Sequence, residues 1–269
     1  MKYKIAEFAG ILGVTADTLR LYEKYGIIKP VKDEKNHYRY FHDLDARNLL
    51  RSRWYRSLHI PLPDVAQLTN DATLNSIICK FEEKEIELEN EIKKYQRLLA
   101  KIRQIHQECD NIESSLRRCC VQQAPSIYRL RQTDKVTFVH NQELHSIISE
   151  WMNLLPFAFF SLKIAKSSLL DESAAMEYDW GIAITEDEAR DFNLGISEHV
   201  DYYPSRKCVS TVVKAPDNLP FTVDAFKYMF EYIDGNGFSI CGDALGKHIV
   251  AEKSNNTINH YISIQIPIE

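Results

Sequence analysis

The sequence predicts a multidomain chain with a winged helix-turn-helix head, a long antiparallel coiled-coil dimerisation helix and an α+β C-terminal domain. Three observations predict it. A helix–turn–helix spacing with a β-prone run fills residues 1–70. Residues 71–121 contain neither proline nor glycine. After Pro125, β-branched runs alternate with helical patterns. The expected divisions are 1–74, 75–120 and 121–269.

In the head, Ile5, Phe8, Ala9 and Leu12 have helical spacing, which Gly13-Val14 breaks. Thr15 is a good N-cap for a second helix ending near Tyr25, and Gly26 stops it. Helix, short glycine-containing turn, helix is the helix-turn-helix pattern. Asp33-Glu34-Lys35-Asn36 reads as a tight turn, and His37-Tyr38-Arg39-Tyr40-Phe41 as a strand, so two short strands would form a wing. Asp43 or Asp45 caps a third helix running to about Leu58, and Pro61-Leu62-Pro63-Asp64 starts a fourth.

Residues 75–118 predict one helix. From Leu88 through Leu116 the apolar steps are 4, 3, 4, 3, 3, 4, 3 and 4, a heptad seam with one slip. A helix of about 40 residues spans roughly 60 Å, too long to bury inside one compact domain. Its narrow stripe calls for a second copy of itself, and an antiparallel homodimer strut is preferred over packing within the chain.

In the third part, residues 136–139, 181–184, 208–213 and 261–266 read as strands, with helices at about 141–154 and 222–233. The order suggests two similar halves, each a strand, a helix and two strands.

Composition excludes several classes. Of 269 residues, 45% are hydrophobic and 26% charged, which suits globular domains rather than disorder or fibres. No apolar run approaches the roughly 18–20 residues of a membrane span, and no signal-peptide stretch follows Met1-Lys2-Tyr3-Lys4, so a cytoplasmic protein is expected. Six cysteines are too sparse for a disulfide framework and read as reduced thiols. The net charge of −5 is uneven. Residues 1–60 carry 12 Lys+Arg against 7 Asp+Glu, whereas residues 125–269 carry 12 against 20. A basic head suits a polyanion, and an acidic body suits something neutral or cationic.

The head has the chemistry for double-stranded DNA. Arg20 lies one turn into the second helix, where a guanidinium reaches base edges or phosphate in the major groove. Thr15 and Thr18 can donate to phosphates from the helix N-terminus. Tyr38, Arg39 and Tyr40 sit on the wing, where hydroxyls and guanidinium suit the sugar-phosphate backbone. Arg56, before the fourth helix, could clamp the same backbone, and Tyr22 follows Arg20 in the second helix. The alternative for Tyr22, Tyr38 and Tyr40 is a place in the core.

The stretch Thr15-Ala16-Asp17-Thr18-Leu19-Arg20-Leu21-Tyr22-Glu23-Lys24-Tyr25-Gly26, then Tyr38-Arg39-Tyr40-Phe41, Asp45 and Leu58-His59-Ile60-Pro61-Leu62, resembles the MerR family of transcription regulators. Leu21 stands where relatives often carry the first of two adjacent tyrosines. Residues Asn236-Gly237-Phe238 through Gly242-Asp243, with Tyr261 to Pro267, resemble the GyrI-like effector domain of multidrug-sensing members. The resemblance implies a homodimeric activator. Its heads would bind a palindromic promoter with an overlong spacer. With ligand bound it would bend and untwist that spacer, so that RNA polymerase engages both promoter elements.

The resemblance also implies a ligand pocket. Tyr178 and Tyr261 fall on positions that line it in drug-sensing relatives, Phe221 falls near a third, and Trp151 would face the cleft. With the acidic charge, these aromatics point to a hydrophobic cation held by ring faces. Gly246 stands where such relatives have a glutamate, so a cation would rely on aromatics alone or on another carboxylate such as Glu143 or Glu177. A second reading is a metal or thiol sensor using Cys79 and Cys119/Cys120, with thiolates meeting across antiparallel helices. Catalysis is not expected: there is no nucleophile elbow, HExxH or GxxxxGK[ST], and His248 and Glu252 are only spaced four apart. No cofactor and no resident metal are expected.

Overall fold

The computed structural model describes residues 2–34, 38–134, 137–139, 142–170, 176–216, 223–254 and 257–269. The chain divides into two compact units, Met1–Gln96 and Arg97–Glu269.

In the first unit, β1 (Tyr3–Lys4) leads into α1 (Ile5–Leu12). Gly13 ends that helix at φ +62°, a left-handed conformation that favours glycine. α2 (Ala16–Lys24) starts where expected: the Thr15 hydroxyl accepts the Thr18 N–H at 3.1 Å. β2 (Val31–Lys32) and β3 (Arg39–Phe41) form the wing, with Val31 opposite Tyr40. β1 pairs with the other edge of β3, so the wing has three strands rather than two. In α3 (Asp43–Ser57) the expected Asp45 caps from the third helical position, as half of a capping box, rather than from the N-cap itself. His42 occupies the N-cap, and Asp45 reaches back to accept the His42 N–H at 3.0 Å and the Lys29 N–H at 2.8 Å. α4 (Leu62–Asn70) completes the head. The core gathers Phe8, Leu19, Tyr22, Ile27, Phe41 and Leu49.

α5 (Leu74–Asp110) is 37 residues long and contributes to both units. The expected single helix to residue 118 stops earlier. After Asn111 comes only the short α6 (Ile112–Ser115), and Leu116 is extended and bridges Val212. The physical reason is burial. Ile112 is buried and Leu116 half-buried in the second unit, so the last two apolar positions serve that unit rather than the seam. Leu88, Ile92, Tyr95, Leu99 and Ile102 remain 39–64% exposed.

The second unit continues with β4 (Cys120–Ala124), β5 (Ile127–Arg131), the hairpin β6 (Thr133–Asp134) and β7 (Thr137–Phe138), and α7 (Gln142–Met152). Then come β8 (Phe159–Ile164), α8 (Lys166–Leu170), β9 (Tyr178–Thr185), α9 (Glu186–Asp191) and β10 (Asp201–Tyr203). β11 (Arg206–Pro216), a 3-10 turn (Val223–Phe226), α10 (Lys227–Gly235), β12 (Ala244–Ser254) and β13 (Thr257–Pro267) close the chain. Eight strands form one sheet in the order β10-β5-β9-β8-β12-β13-β11-β4. The two halves are visible in that order. β5, β8 and β9 with α7 mirror β11, β12 and β13 with α10, and they meet at β8 and β12.

Strand alternation divides this sheet into two chemistries. One face packs Leu162, Ile164, Ile262, Ile264, Val209 and Val213 against Phe226 and Met229, and Leu130, Ile182 and Ile184 against Leu144 and Trp151. By register the opposite face carries Arg129, Ser161, Asp179, Lys247, Ser263, Gln265 and Ser210. Arg129 is fully buried. Its Nη2 lies 2.5 Å from Asp179 Oδ1 and donates to the Ser161 and Asp179 carbonyls, and its Nε donates to the Ser161 hydroxyl. Gly181 makes room for it. A Cβ at residue 181 would lie 2.2 Å from the Leu130 carbonyl oxygen and 3.2 Å from Arg129 Nη2.

Gly181→Ala therefore forces backbone apart in mid-sheet. A loss of about 3 kcal/mol is expected, read as a lower urea midpoint for the second unit. A wild-type midpoint would refute the packing of Arg129 across this glycine.

Candidate functional site

The head presents one polar face. Arg20 projects from α2 with its side chain 65% exposed, held among the described residues only by Asp17 at 2.6 Å. An exposed pair of this kind is worth under about 1 kcal/mol, so the guanidinium is free to exchange it for DNA. Thr15 is exposed and Thr18 half-buried, with their hydroxyls 2.9 Å apart at the helix N-terminus. Arg39 donates to Glu23 at 2.8 Å, tying the wing to α2. Tyr38 is exposed and Tyr40 half-buried.

Two of the expected contact residues have partners within the head. Tyr22 is buried in the head core, because residues 19, 22 and 27 face inward from α2 and the turn after it. Only 6% of its surface is exposed. Arg56 is exposed, but its Nη1 donates to the Ile60 carbonyl at 2.6 Å, so it braces the turn between α3 and α4. The sequence reading also missed Lys2 and Lys4. Pairing of β1 with β3 brings their ammonium groups 5.9 Å from the Tyr40 ring and 5.6 Å from the Tyr38 ring. Two lysines flanking Tyr3 were the available signal.

The second unit holds a groove of about 660 Å³ between the open sheet face and α5–α6. Two ion pairs cross it. Lys101 of α5, 7% exposed, meets Glu188 of α9 at 2.5 Å. Lys247 of β12 donates to both Glu108 oxygens at 2.6 and 2.7 Å, and Gln104 donates to the same carboxylate at 3.0 Å. Thr185 caps α9, accepting the Glu188 N–H and donating to its carboxylate.

Of the four expected ligand residues, the three that are described do not line this groove. Trp151 is fully buried in the core between α7 and the sheet, so it faces no cleft. Tyr178 pairs with Ile164 and packs with the core on the helix-covered face. Tyr261 shares the groove's face with Ser263 and Gln265 but lies beyond the groove, donating to Glu252 at 2.7 Å under the Lys214 ammonium. Phe221 and the side chain of Glu143 lie outside the described residues. Glu177 lines a separate hollow with Tyr178 and Asp179. A side chain at Gly246 would point into the core, its Cβ 2.9 Å from Ile264 Cδ1. The position therefore cannot supply a groove carboxylate; Glu108 and Glu188 do.

Cys79 is exposed on α5, Cys120 is exposed on β4 rather than at a helix end, and Cys119 is half-buried, with burial pushing its thiol pKa up. Cys208 is buried and pushed up to about 11, mainly by burial. Among the described residues, no group of three or more His, Cys, Asp or Glu side chains is placed to hold a metal ion. His248 and His260 pair at 3.0 Å, and burial, then His260, pulls the His248 pKa down. His248 lies on β12, as does Glu252, which is bonded elsewhere. Among the described residues, no helix is long and apolar enough to cross a membrane.

Residues 4–41 match the family described as MerR family regulatory protein. The HTH-type transcriptional activator TipA of Streptomyces coelicolor, like that of Streptomyces lividans, is 35% identical over 71 residues, covering 26% of this chain. The chain spans 28% of the length of those curated relatives. The cryo-EM structure of an EcmrR–DNA complex in EcmrR-RPo is 19% identical at TM-score 0.38, covering 99% of both chains. A hydrolase encoded by lin2189 from Listeria innocua is 8% identical at TM-score 0.35, covering 61% of this chain and 97% of its own.

The two tyrosine environments separate in experiment. Tyr22→Ala should destabilise the head by about 3–5 kcal/mol, as large buried aromatics do, while Tyr22→Phe leaves DNA affinity at the wild-type value. Lys4→Ala should instead weaken binding to all DNA sequences and lower the salt slope by about one, measured by fluorescence anisotropy across a salt series. A Tyr22→Phe variant with lost affinity and full stability would return this residue to the interface.

Proposed function

We propose, from a chain whose head is a MerR-family helix-turn-helix domain, a cytoplasmic, homodimeric, ligand-responsive transcription activator. The observation that carries this reading is the joint presence of the head's polar face, with Arg20 on α2 and Arg39, Lys2 and Lys4 on the wing, and a 660 Å³ groove in the second unit. Arg20 reads base edges or phosphate in the major groove. The wing fixes the register on the backbone. The exposed stripe Leu88, Ile92, Tyr95, Leu99 and Ile102 joins two copies. A dimer places its heads on the two halves of a palindrome. Its contacts offset the energy of bending and untwisting an overlong promoter spacer, which RNA polymerase then engages.

The second unit supplies the switch. Its groove lies in the range of small-molecule sites. A ligand shifts the equilibrium only through contacts that differ between two states. The ion pair of α5 with β12 is such a contact, since it is a partly exposed bond that a ligand in the groove can exchange. Although the Tyr and Trp content favours a lipophilic cation, the groove itself offers Phe159 as its one aromatic among the described lining residues. The Lys247 ammonium already stands 5.5 Å from the centre of that ring. The geometry thus supports a polar ligand better than an aromatic cage.

Arg20→Ala should abolish preference for the operator over random DNA while retaining salt-sensitive nonspecific binding, in a competition gel-shift. Normal operator preference would contradict the orientation of α2. Ile92→Asp or Leu99→Asp places a carboxylate in the apolar seam, and either should yield monomers with an intact second unit. Sedimentation of both variants as dimers would refute the seam.

A further inference from the structure

The groove has a charge balance opposite to that of the domain holding it. Residues 125–269 carry 12 Lys+Arg against 20 Asp+Glu. The groove lining has Lys101, Lys247 and Arg118 against Glu108 and Glu188. Both lysines are matched by the two carboxylates. That leaves Arg118, an exposed residue of the α6–β4 connection, whose guanidinium has no hydrogen bond or ion pair among the described residues. The excess is one cation, set in an acidic surround.

A second observation points into the same space. Ser210 lines the groove and is 3% exposed, yet its hydroxyl has no hydrogen-bond partner among the described residues. Buried hydroxyls without a partner are uncommon in folded proteins. Its register neighbour across the β11–β13 ladder is Gln265, which also lines the groove. Apolar surface lies beside them in Phe159, Leu245 and Val212. An unpaired guanidinium, an unmet hydroxyl beside an amide, and an apolar wall together describe an amphipathic ligand with one negative charge. A cation is less well served, because both carboxylates are already bound by lysines.

We propose that this groove binds a small aromatic carboxylic acid in its ionised form. The carboxylate pairs with Arg118 and draws Lys247 away from Glu108, a polar substituent meets Ser210 and Gln265, and the ring lies against Phe159 and Leu245. The inference rests on reading the second unit as the ligand-sensing domain and names the ligand class of that site. It also gives the switch its chemistry. The ligand replaces Glu108 on Lys247, so the acid exchanges for a bond between α5 and β12 and binds more tightly to the state in which that bond is open.

The test uses the full chain and three probes: 3-hydroxy-2-naphthoate, its neutral amide 3-hydroxy-2-naphthamide, and tetraphenylphosphonium. Thermal shift and calorimetric titration should show the acid raising the melting temperature and binding at least about tenfold more tightly than the amide. Arg118→Ala, at an exposed position, should keep the unliganded melting temperature and lose about tenfold in acid affinity. Ser210→Val should weaken the acid while leaving 2-naphthoate, which lacks the hydroxyl, unaffected. Equal affinity for acid and amide, or unchanged acid affinity in Arg118→Ala, would overturn the proposal while leaving the groove a ligand site. Binding of tetraphenylphosphonium alone would overturn it in favour of a cation. No stabilisation by any probe would overturn both the proposal and the ligand-sensing reading.

Discussion

Much of the second unit follows from one constraint, the two-residue alternation of an eight-stranded sheet that can cover only one face with its own helices. α7 and α10 take that face, and the apolar set from Leu130 to Ile266 goes to them. Every polar residue of the intervening positions is then committed to the other side. Arg129 and Asp179 are consequences of that commitment. A guanidinium with no exposure is tolerable only when a carboxylate and carbonyl groups surround it. Here the Ser161 and Asp179 carbonyls and the Asp179 carboxylate meet its Nη2, the Ser161 hydroxyl meets its Nε, Nη1 has no partner among the described residues, and Gly181 leaves room for the side chain.

The same constraint explains why α5 has two characters. Along its first part the apolar stripe stays exposed, as a seam for a second copy requires. Beyond residue 100 the helix meets a polar sheet face, and its contacts become ionic: Lys101 with Glu188, and Glu108 with Lys247. Two pairs of opposite polarity resist sliding of the helix, since a shift in register would bring each charge away from its partner. Lys101 is nearly buried, so removing Glu188 would strand a charge at a cost of about 3–5 kcal/mol. Lys247 and Glu108 keep about a quarter of their side-chain exposure, so that pair is cheaper to open. The more accessible pair is the one an incoming ligand can exchange.

Sequence made the architecture legible where local signals were strong. Thr15 capped α2 as its hydroxyl predicted, Gly13 and Gly26 marked helix ends, and β-branched runs became strands. The failures came where tertiary contacts overrode periodicity. Ile112 and Leu116 continue the heptad spacing, yet the sheet claims them and the helix ends at Asp110. Tyr22 has the spacing of a core position as well as a place near Arg20, and the core won. β1 was too short to announce itself, and Lys2 and Lys4 were lost with it.

The ligand residues were the least legible, for a reason that alternation makes plain. Tyr178 and Tyr261 are both strand aromatics, and a sequence shows their parity only within their own strands. Register decides which parities coincide across the sheet. Tyr178 stands opposite Ile164, a core residue, while Tyr261 stands opposite Lys214 on the polar side. The two rings therefore belong to opposite faces and cannot close on one ligand. Nor could aromatic content reveal the groove, because its floor is built from Ser210, Ser263, Gln265 and Lys247, residue types that read as ordinary surface until a helix covers them. Glu108 and Lys101 read the same way, as polar positions beside a coiled-coil seam. Once α5 lies over the sheet, these side chains become the walls of a cavity, and the chemistry of the site is set by residues whose spacing carried no warning of it.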